Sequence, residues 1–290
     1  MNLDFPAPRT PPASLLAAYT LVNRVPVEMF YLNETGASSA SSDQGIEYTI
    51  EEMDDCVKHA QKQLEHPAGR QHRSNGVVFA DVLKALAVGG GAAVTNKNVV
   101  VFGATEPWVE CLAVAAGCKS VTTVEWQQLE YAHPLMRNVG VAAFEHAVRP
   151  GGPLAASFNV AIALSAFDHD GLGRYGERLH PHGDLLAMQT AWRALKPGGR
   201  LLLSVPIGQD LVVWNLHRRY GSLRLPMLLA GWHEEGRIGW DAVAARLTLH
   251  TDHRRRVEPL FLLRRNSTAD LDLSLDLGSR PMGSDAEACS

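Results

Sequence analysis

Residues 98–125 constrain the fold more than any other stretch of the chain. Val99, Val100, Val101 and Phe102 form an uninterrupted apolar run that ends at Gly103. A helix-compatible segment follows over 106–116, then Gly117, then a second run over 120–124 that closes on Glu125. A strand that is apolar without alternation is buried on both faces, and parallel neighbours of that kind need a crossover helix between them. A glycine at the strand end lets the chain turn sharply. It also aims the N-terminus of the next helix at the crevice beyond the strands. The expectation is an α/β, doubly wound, Rossmann-like and mostly parallel sheet with a ligand crevice past Gly103.

Glu125 stands 22 residues after Gly103. An acid roughly 20 residues past the glycine turn is placed to accept hydrogen bonds from the two hydroxyls of a ribose. What the turn lacks narrows the nucleotide. A dinucleotide loop needs G-x-G-x-x-G so that backbone can touch a pyrophosphate. Here Thr105 and Trp108 occupy the second and third glycine positions. Glu106 sets a negative charge where the helix dipole would meet phosphate. Pro107 removes an amide donor, although it suits a helix start. Two readings stay open on this stretch alone. One is an ordinary turn with no ligand; the other is a pocket for an adenosine without phosphate, of which S-adenosylmethionine (SAM) is the common one.

The run 158–164 is apolar throughout and reads as a central strand, with Ser165, Phe167, Asp168, His169 and Asp170 at its carboxyl end facing the crevice. A helix is predicted over 184–195, with Asp184 as its cap, and a strand over 200–205. Ahead of the sheet, helices are predicted over 47–66 and 77–88 from apolar stripes at helical spacing. Between Glu125 and 158 the pattern suggests an irregular stretch with a short helix near Pro134, then a weak strand over 142–148. Residues 210–232 read as helical segments forming a lid, and 242–250 and 257–264 as the last two strands. The organisation expected is a flexible, proline-rich N-terminal extension over 1–45 with a short helix over 14–23, the α/β domain over 46–265, and a disordered tail over 266–290. The small polar residues of 36–45 predict mobility.

At 290 residues one core domain with extensions is expected. Net charge is −4 with both signs dispersed, which argues against broad binding of nucleic acid or anionic membrane. No run approaches the roughly 20 apolar residues of a membrane span, and no basic segment precedes 15–22 as a signal peptide requires. Cys56, Cys111, Cys118 and Cys289 form no C-x-x-C pair. Neither a disulfide framework nor a zinc site is expected, and a reducing, cytoplasmic setting is.

The strand–Gly103–helix–strand–Glu125 unit, the Asp168-His169 step and the turn Leu195-Lys196-Pro197-Gly198-Gly199 together resemble a class I SAM-dependent methyltransferase. The run 167–176 (FDHDGLGRYG), Gly183-Asp184-Leu185, Val205-Pro206-Ile207-Gly208, the run 215–221 (NLHRRYG) and Arg224-Leu225-Pro226 narrow this. They resemble the family catalogued as domain of unknown function 268, in separate blocks over 98–232. The resemblance implies that Gly103, Ala104 and Thr105 border the cofactor, that Glu125 and Trp126 hold its nucleoside, and that Ser165 and Phe167 lie beside it. Asn159 stands where the wider class often has Asp, and Asp168 where Glu is commoner.

Methyl transfer needs position and a dry site, and a base only when the acceptor carries a proton. His169 is the first candidate base, with Asp168 or Asp170 to orient it, and His217 is the second. The alternative for His169 is a pocket-lining or loop-bracing role. Arg174 and Tyr175 fit either an anion or a brace. His180, His182 and Asp184 straddle a proline turn, so no metal is assigned. The functional expectation is a methyltransferase acting on a small-molecule or sugar-type acceptor. Its rival is a catalytically degenerate SAM-binding domain that works through a partner. A nicotinamide oxidoreductase is disfavoured by the blocked glycine loop.

Overall fold

The computed structural model describes residues 7–32, 45–65, 73–74, 77–88, 94–104, 106–240 and 257–266. The mobile stretch expected over 36–45, the strand over 242–250 and the tail over 266–290 lie outside the described residues, apart from their end residues 45 and 266.

In chain order the elements are α1 (Ala13–Tyr19), β1 (Val27–Met29), β2 (Ile46–Tyr48), α2 (Ile50–Glu65), β3 (Arg73–Ser74), β4 (Val77–Val78), α3 (Phe79–Val88), β5 (Asn98–Phe102), α4 (Trp108–Ala115), β6 (Ser120–Glu125) and β7 (Leu129–Tyr131). They continue with β8 (Met136–Gly140), α5 (Val141–Ala147), β9 (Phe158–Leu164), α6 (Gly183–Ala194), β10 (Leu195–Ser204), β11 (Leu211–Trp214), β12 (His217–Arg219), α7 (Arg224–Leu228), β13 (Trp232–Ile238) and β14 (Leu260–Arg265).

Seven strands form one sheet in the order β13-β14-β10-β9-β5-β6-β8. β8, β6, β5, β9 and β10 pair in parallel, and β14 inserts antiparallel between β10 and β13. Taken in chain order, the sheet reads third-second-first-fourth-fifth-seventh-sixth. The expected doubly wound, mostly parallel architecture of the class I methyltransferase type is therefore the one found. Within β5 the side chains divide as the pleat requires. Val99 and Val101 pack under α2, α3 and α4, whereas Val100 and Phe102 pack under α5 and α6. The chain leaves β5 toward β6 on one side and returns to β9 on the other, so the crevice opens between the ends of β5 and β9.

Several local expectations are corrected. The stretch after Glu125 holds β7 and β8 rather than a helix near Pro134. β8 is an edge strand with Arg137 exposed and Asn138 only partly buried, so its pattern carries little apolar signal. The segment read as a strand over 142–148 is α5, because Phe144 and Val148 share one helical face and both bury against the sheet. The predicted helical lid over 210–232 is chiefly the β11–β12 hairpin, with α7 and the start of β13 behind it. That hairpin pairs in parallel with β1, Val27 opposite Val212. A partner nearly two hundred residues away leaves no local trace.

The N-terminal segment packs on the domain over its described part. Ala7, Tyr19 and Val25 bury against Leu172, Leu179, Val212 and Trp214. α1 spans Ala13–Tyr19 with Pro12 as its cap residue, in place of the helix expected over 14–23. Cys56 on α2 and Cys111 on α4 form a disulfide with Cα atoms 5.8 Å apart, which overturns the expectation of unpaired cysteines. The pairing depends on how two helices cross, which sequence spacing does not report. Cys118 is free and buried. Among the described residues no helix is long and apolar enough to cross a membrane.

Candidate functional site

The two turns that flank the switch point touch. Gly103 ends β5 with φ +69°, and its N–H donates to Val124 O at 3.1 Å. A Cβ at Gly103 would lie 2.6 Å from the Cβ of Ala166. Only glycine meets both conditions without strain. Ser165, the first residue past β9, also sits in the left-handed region, at φ +51°. A non-glycine residue there costs on the order of 1–2 kcal/mol. Its N–H bonds to Ser204 O at 2.9 Å, which holds the bend in place.

A cavity of about 1010 Å³ opens at these turns. Its floor is an aromatic stack: Phe102 meets Phe144 and Phe167 edge to face, with centroids 5.6 and 5.2 Å apart. At one end stand Glu125 and Trp126, with Ser165 and Phe167 beside them; at the other stand His169, Asp170 and His217. Phe30 and Leu32, from the segment after β1, close the far wall with Leu216. Most of the sequence-assigned residues thus face one space. Ala104 does not: its side chain packs into the core under α2 and α4. Thr105 lies outside the described residues. Asp168 is fully buried behind His169 and does not reach the cavity wall.

Glu125 is nearly buried, and its Oε1 accepts the Trp126 N–H at 2.7 Å. Loss of water pushes its carboxyl up from the usual range, against the pull of the Trp126 and Gln127 amides. A carboxylate in this position is stabilised by hydroxyl donors entering the cavity. Trp126 is 45% exposed at the rim.

His169 is held by its own surroundings. Its Nδ1 donates to the Leu216 carbonyl, so that nitrogen carries the ring proton. Nε2 lies 3.6 Å from Asp168 Oδ2. The Arg174 guanidinium lies against the same ring, Nη1 to Nδ1 3.4 Å, and stacks over Tyr175 at 5.0 Å. The His169 and His217 rings stand perpendicular with centroids 6.4 Å apart. Asp170 reaches the cavity wall with no hydrogen bond from its carboxyl to the described residues. Burial, with Glu177 close by, pushes that carboxyl well above the usual carboxylate range even though Arg218 opposes it.

The backbone of this loop is clamped from behind by residues to which the sequence assigned no such role. Arg218, fully buried in β12, donates to the carbonyls of Asp170 at 2.6 Å, His180 at 3.3 Å and Pro181 at 3.4 Å. The Arg218 N–H takes Asp168 O at 2.9 Å. Arg224 binds Asp184 through two bonds of 2.8 and 2.6 Å, and Tyr220 adds a third at 3.1 Å. Asp184 is therefore not the cap of α6. It sits inside the helix as a buried counter-ion, and His182 is the cap residue. Burial alone would raise its carboxyl, but Arg218 and Arg224 outweigh that and hold it at about 2. Asn215 accepts the Leu32 N–H at 2.7 Å and donates to the Leu32 carbonyl, fixing the wall that closes the cavity. The signal available in sequence was the run 215–221, where polar and cationic residues crowd into an otherwise apolar stretch.

A sheet of this strand order, with a cavity at its switch point and a buried acid ending the second strand, defines an α/β domain of the class I methyltransferase type. Residues 96–253, more than half of the chain, match the family described as Caenorhabditis protein of unknown function, DUF268, and the chain belongs to that family. Among solved structures the chain is similar to the 1,6-didemethyltoxoflavin-N1-methyltransferase of Burkholderia thailandensis, with 15% identity, a TM-score of 0.46, and 78% of this chain and 93% of that one covered. It is also similar to a putative sarcosine dimethylglycine methyltransferase of Galdieria sulphuraria, with 10% identity, a TM-score of 0.46, and 75% and 99% covered. A third is an S-adenosylmethionine dependent methyltransferase of Mesorhizobium loti, with 14% identity, a TM-score of 0.41, and 64% and 99% covered. No curated protein matches the sequence.

Proposed function

We propose that this chain is a SAM-dependent methyltransferase that acts on a small-molecule acceptor. The observation that carries the reading is the shared cavity: a desolvated carboxylate, Glu125, and a glycine turn pressed against Ala166 border one space at the switch point. Ligand pockets run to roughly 300–1,000 Å³, so about 1010 Å³ leaves room for a nucleoside cofactor and a small second molecule.

In this reading Glu125 takes the ribose hydroxyls and Trp126 covers the base. The backbone of Gly103 borders the amino-acid end, with Ser165 and Phe167 beside it. SAM supplies a methyl group already activated on sulfur, so the protein's share is position, exclusion of water and, for a protic acceptor, one proton acceptor. Phe30, Leu32 and Leu216 exclude water. The Leu216 carbonyl sets the imidazole of His169 through Nδ1, and His217 lines the same cavity.

Titration calorimetry with S-adenosylhomocysteine and with NADP tests this. We expect S-adenosylhomocysteine to bind and NADP not to. Glu125→Ala should weaken binding by about 1–3 kcal/mol, the scale of hydrogen bonds to a charged group. NADP binding in place of S-adenosylhomocysteine, or an unchanged affinity in Glu125→Ala, would reject the assignment. Methyl transfer from labelled SAM to a panel of small acceptors separates an enzyme from a domain that only binds the cofactor.

A further inference from the structure

The cavity lining as a whole has an uneven charge. Four carboxylates line the space, Glu125, Glu145, Asp170 and Glu177, against two guanidiniums, Arg174 and Arg178. Their commitments differ. Glu177 accepts the N–H groups of Gly173 and Tyr175 at 2.6 and 2.9 Å and so serves its own loop. Glu125 stands at the opposite end, and Glu145 has Arg149 as a nearby counter-charge. Arg174 is stacked on Tyr175 and against His169. Asp170 and Glu145 both line the cavity with no hydrogen bond or ion pair to their carboxyls among the described residues, and Asp170 is the more buried of the two.

The backbone of Asp170 is immobilised. Its carbonyl takes Arg218 at 2.6 Å, and its N–H bonds to Phe167 O at 3.3 Å. A Cβ at Gly183 would lie 2.4 Å from the Asp170 carbonyl oxygen, so α6 closes on it from the other side. Once ionised, a rigidly mounted carboxylate in this pocket attracts a cation and repels an anion.

We propose that the methyl acceptor is an amine that enters as its ammonium ion, and that Asp170 binds it and takes its proton. This rests on the methyltransferase reading above. The ammonium passes one proton to the Asp170 carboxylate and becomes a neutral amine with a lone pair on nitrogen. That nitrogen forms the new N–C bond as the S–C bond of SAM breaks, the pair of that bond staying on sulfur, and the methylated product carries the positive charge. The high proton affinity that burial confers on Asp170 favours the first step.

Benzylamine, benzyl alcohol and benzoate share one shape and differ in charge, so they serve as probes. Each is titrated calorimetrically into the full-length protein saturated with S-adenosylhomocysteine. We expect benzylamine to bind at least tenfold tighter than benzyl alcohol, and benzoate to bind weakest. Asp170→Asn should bring the amine down to the level of the alcohol, and Asp170→Glu should restore part of the difference. Thermal unfolding of each variant shows whether it is folded. Benzoate binding as tightly as the amine, no binding of benzylamine, or an amine preference that survives in Asp170→Asn overturns the proposal while leaving the cofactor assignment standing. A protein that takes no S-adenosylhomocysteine fails at the earlier step, and this inference fails with it.

Discussion

The hydroxyl of Tyr19 donates a 2.6 Å hydrogen bond to the carbonyl of Gly171, across 152 residues of sequence. Tyr19 is fully buried, meets Trp214 edge to face at 5.3 Å and lies under Arg218, 6.0 Å from its ring centre. Burial pushes its hydroxyl up to about 12, so it remains a donor at any physiological pH. One phenol thus ties the N-terminal segment to the loop that carries His169 and Asp170. Tyr19→Phe removes one of two donors to the Gly171 carbonyl, which keeps the His180 N–H at 2.9 Å, and should cost about 0.5–1.5 kcal/mol. Hydrogen exchange should speed up at the amides of His169 and Leu172, which bond to Ala166 O and His169 O. Unchanged exchange there would show that the loop is held without Tyr19.

Gly103→Ala should destabilise the fold. The φ of +69° disfavours any Cβ by about 1–2 kcal/mol, and the 2.6 Å approach to Ala166 adds a clash. The double variant Gly103→Ala/Ala166→Gly relieves the clash and not the backbone strain. Urea unfolding should therefore recover part of the loss. No recovery would mean that the contact between the two turns is not the source of the cost.

Asp184→Asn leaves Arg218 and Arg224 buried without their shared counter-ion. Breaking a buried pair in this way costs roughly 3–5 kcal/mol. The native carboxyl titrates at about 2, below the roughly 3.9 of an unfolded aspartate. Its stabilising contribution is therefore fully present above that unfolded value and is lost as pH falls toward 2. The difference in unfolding free energy between wild type and Asp184→Asn should be large at pH 7 and shrink between pH 4 and 2. A difference that stays constant with pH would exclude the ion pair as its cause.

Glu110→Gln should act in the opposite direction. Glu110 is fully buried on α4, and its Oε1 accepts the Thr123 hydroxyl at 2.7 Å. Burial pushes its carboxyl up to about 7, above the roughly 4.3 of an unfolded glutamate. The folded state keeps the proton in that window. Stability is full below the unfolded value, declines as pH rises to about 7, and levels off beyond it. The shift corresponds to about 4 kcal/mol at most. Glutamine is neutral throughout and still accepts from Thr123. The variant should match wild type near pH 4 and exceed it at pH 8 by a few kcal/mol in urea unfolding. Parallel pH profiles would show that Glu110 does not titrate in this range.

The legible parts of the site were those written in local pattern. Gly103, Glu125, Ser165 and Phe167 sit at the ends of the parallel strands β5, β6 and β9, so their facing a common crevice followed from how parallel strands are connected. Arg218, Arg224 and Asn215 were visible as a cluster of polar residues without a visible purpose. Each acts on a carbonyl or carboxylate contributed by a distant stretch, and nothing in the spacing of 215–224 names that partner. The edge elements were misread for a related reason. β8 and β13 border solvent, which dilutes the alternation that marks a half-buried strand, and α5 shows its helical face only once Phe144 and Val148 are known to share a core.

The amino-acid sequence determined the central strands, the sharp bend at Gly103 and the acid at the end of the second strand, because each depends on residue type and near neighbours. Tertiary structure alone decided the pairing of β1 with β11, the clamp of Arg218 on the Asp170 carbonyl, the Cys56–Cys111 bond and the exclusion of Asp168 from the cavity wall. Those are contacts between stretches far apart in the chain. They come into being only when the packing of the whole domain brings a buried donor to the one acceptor within its reach.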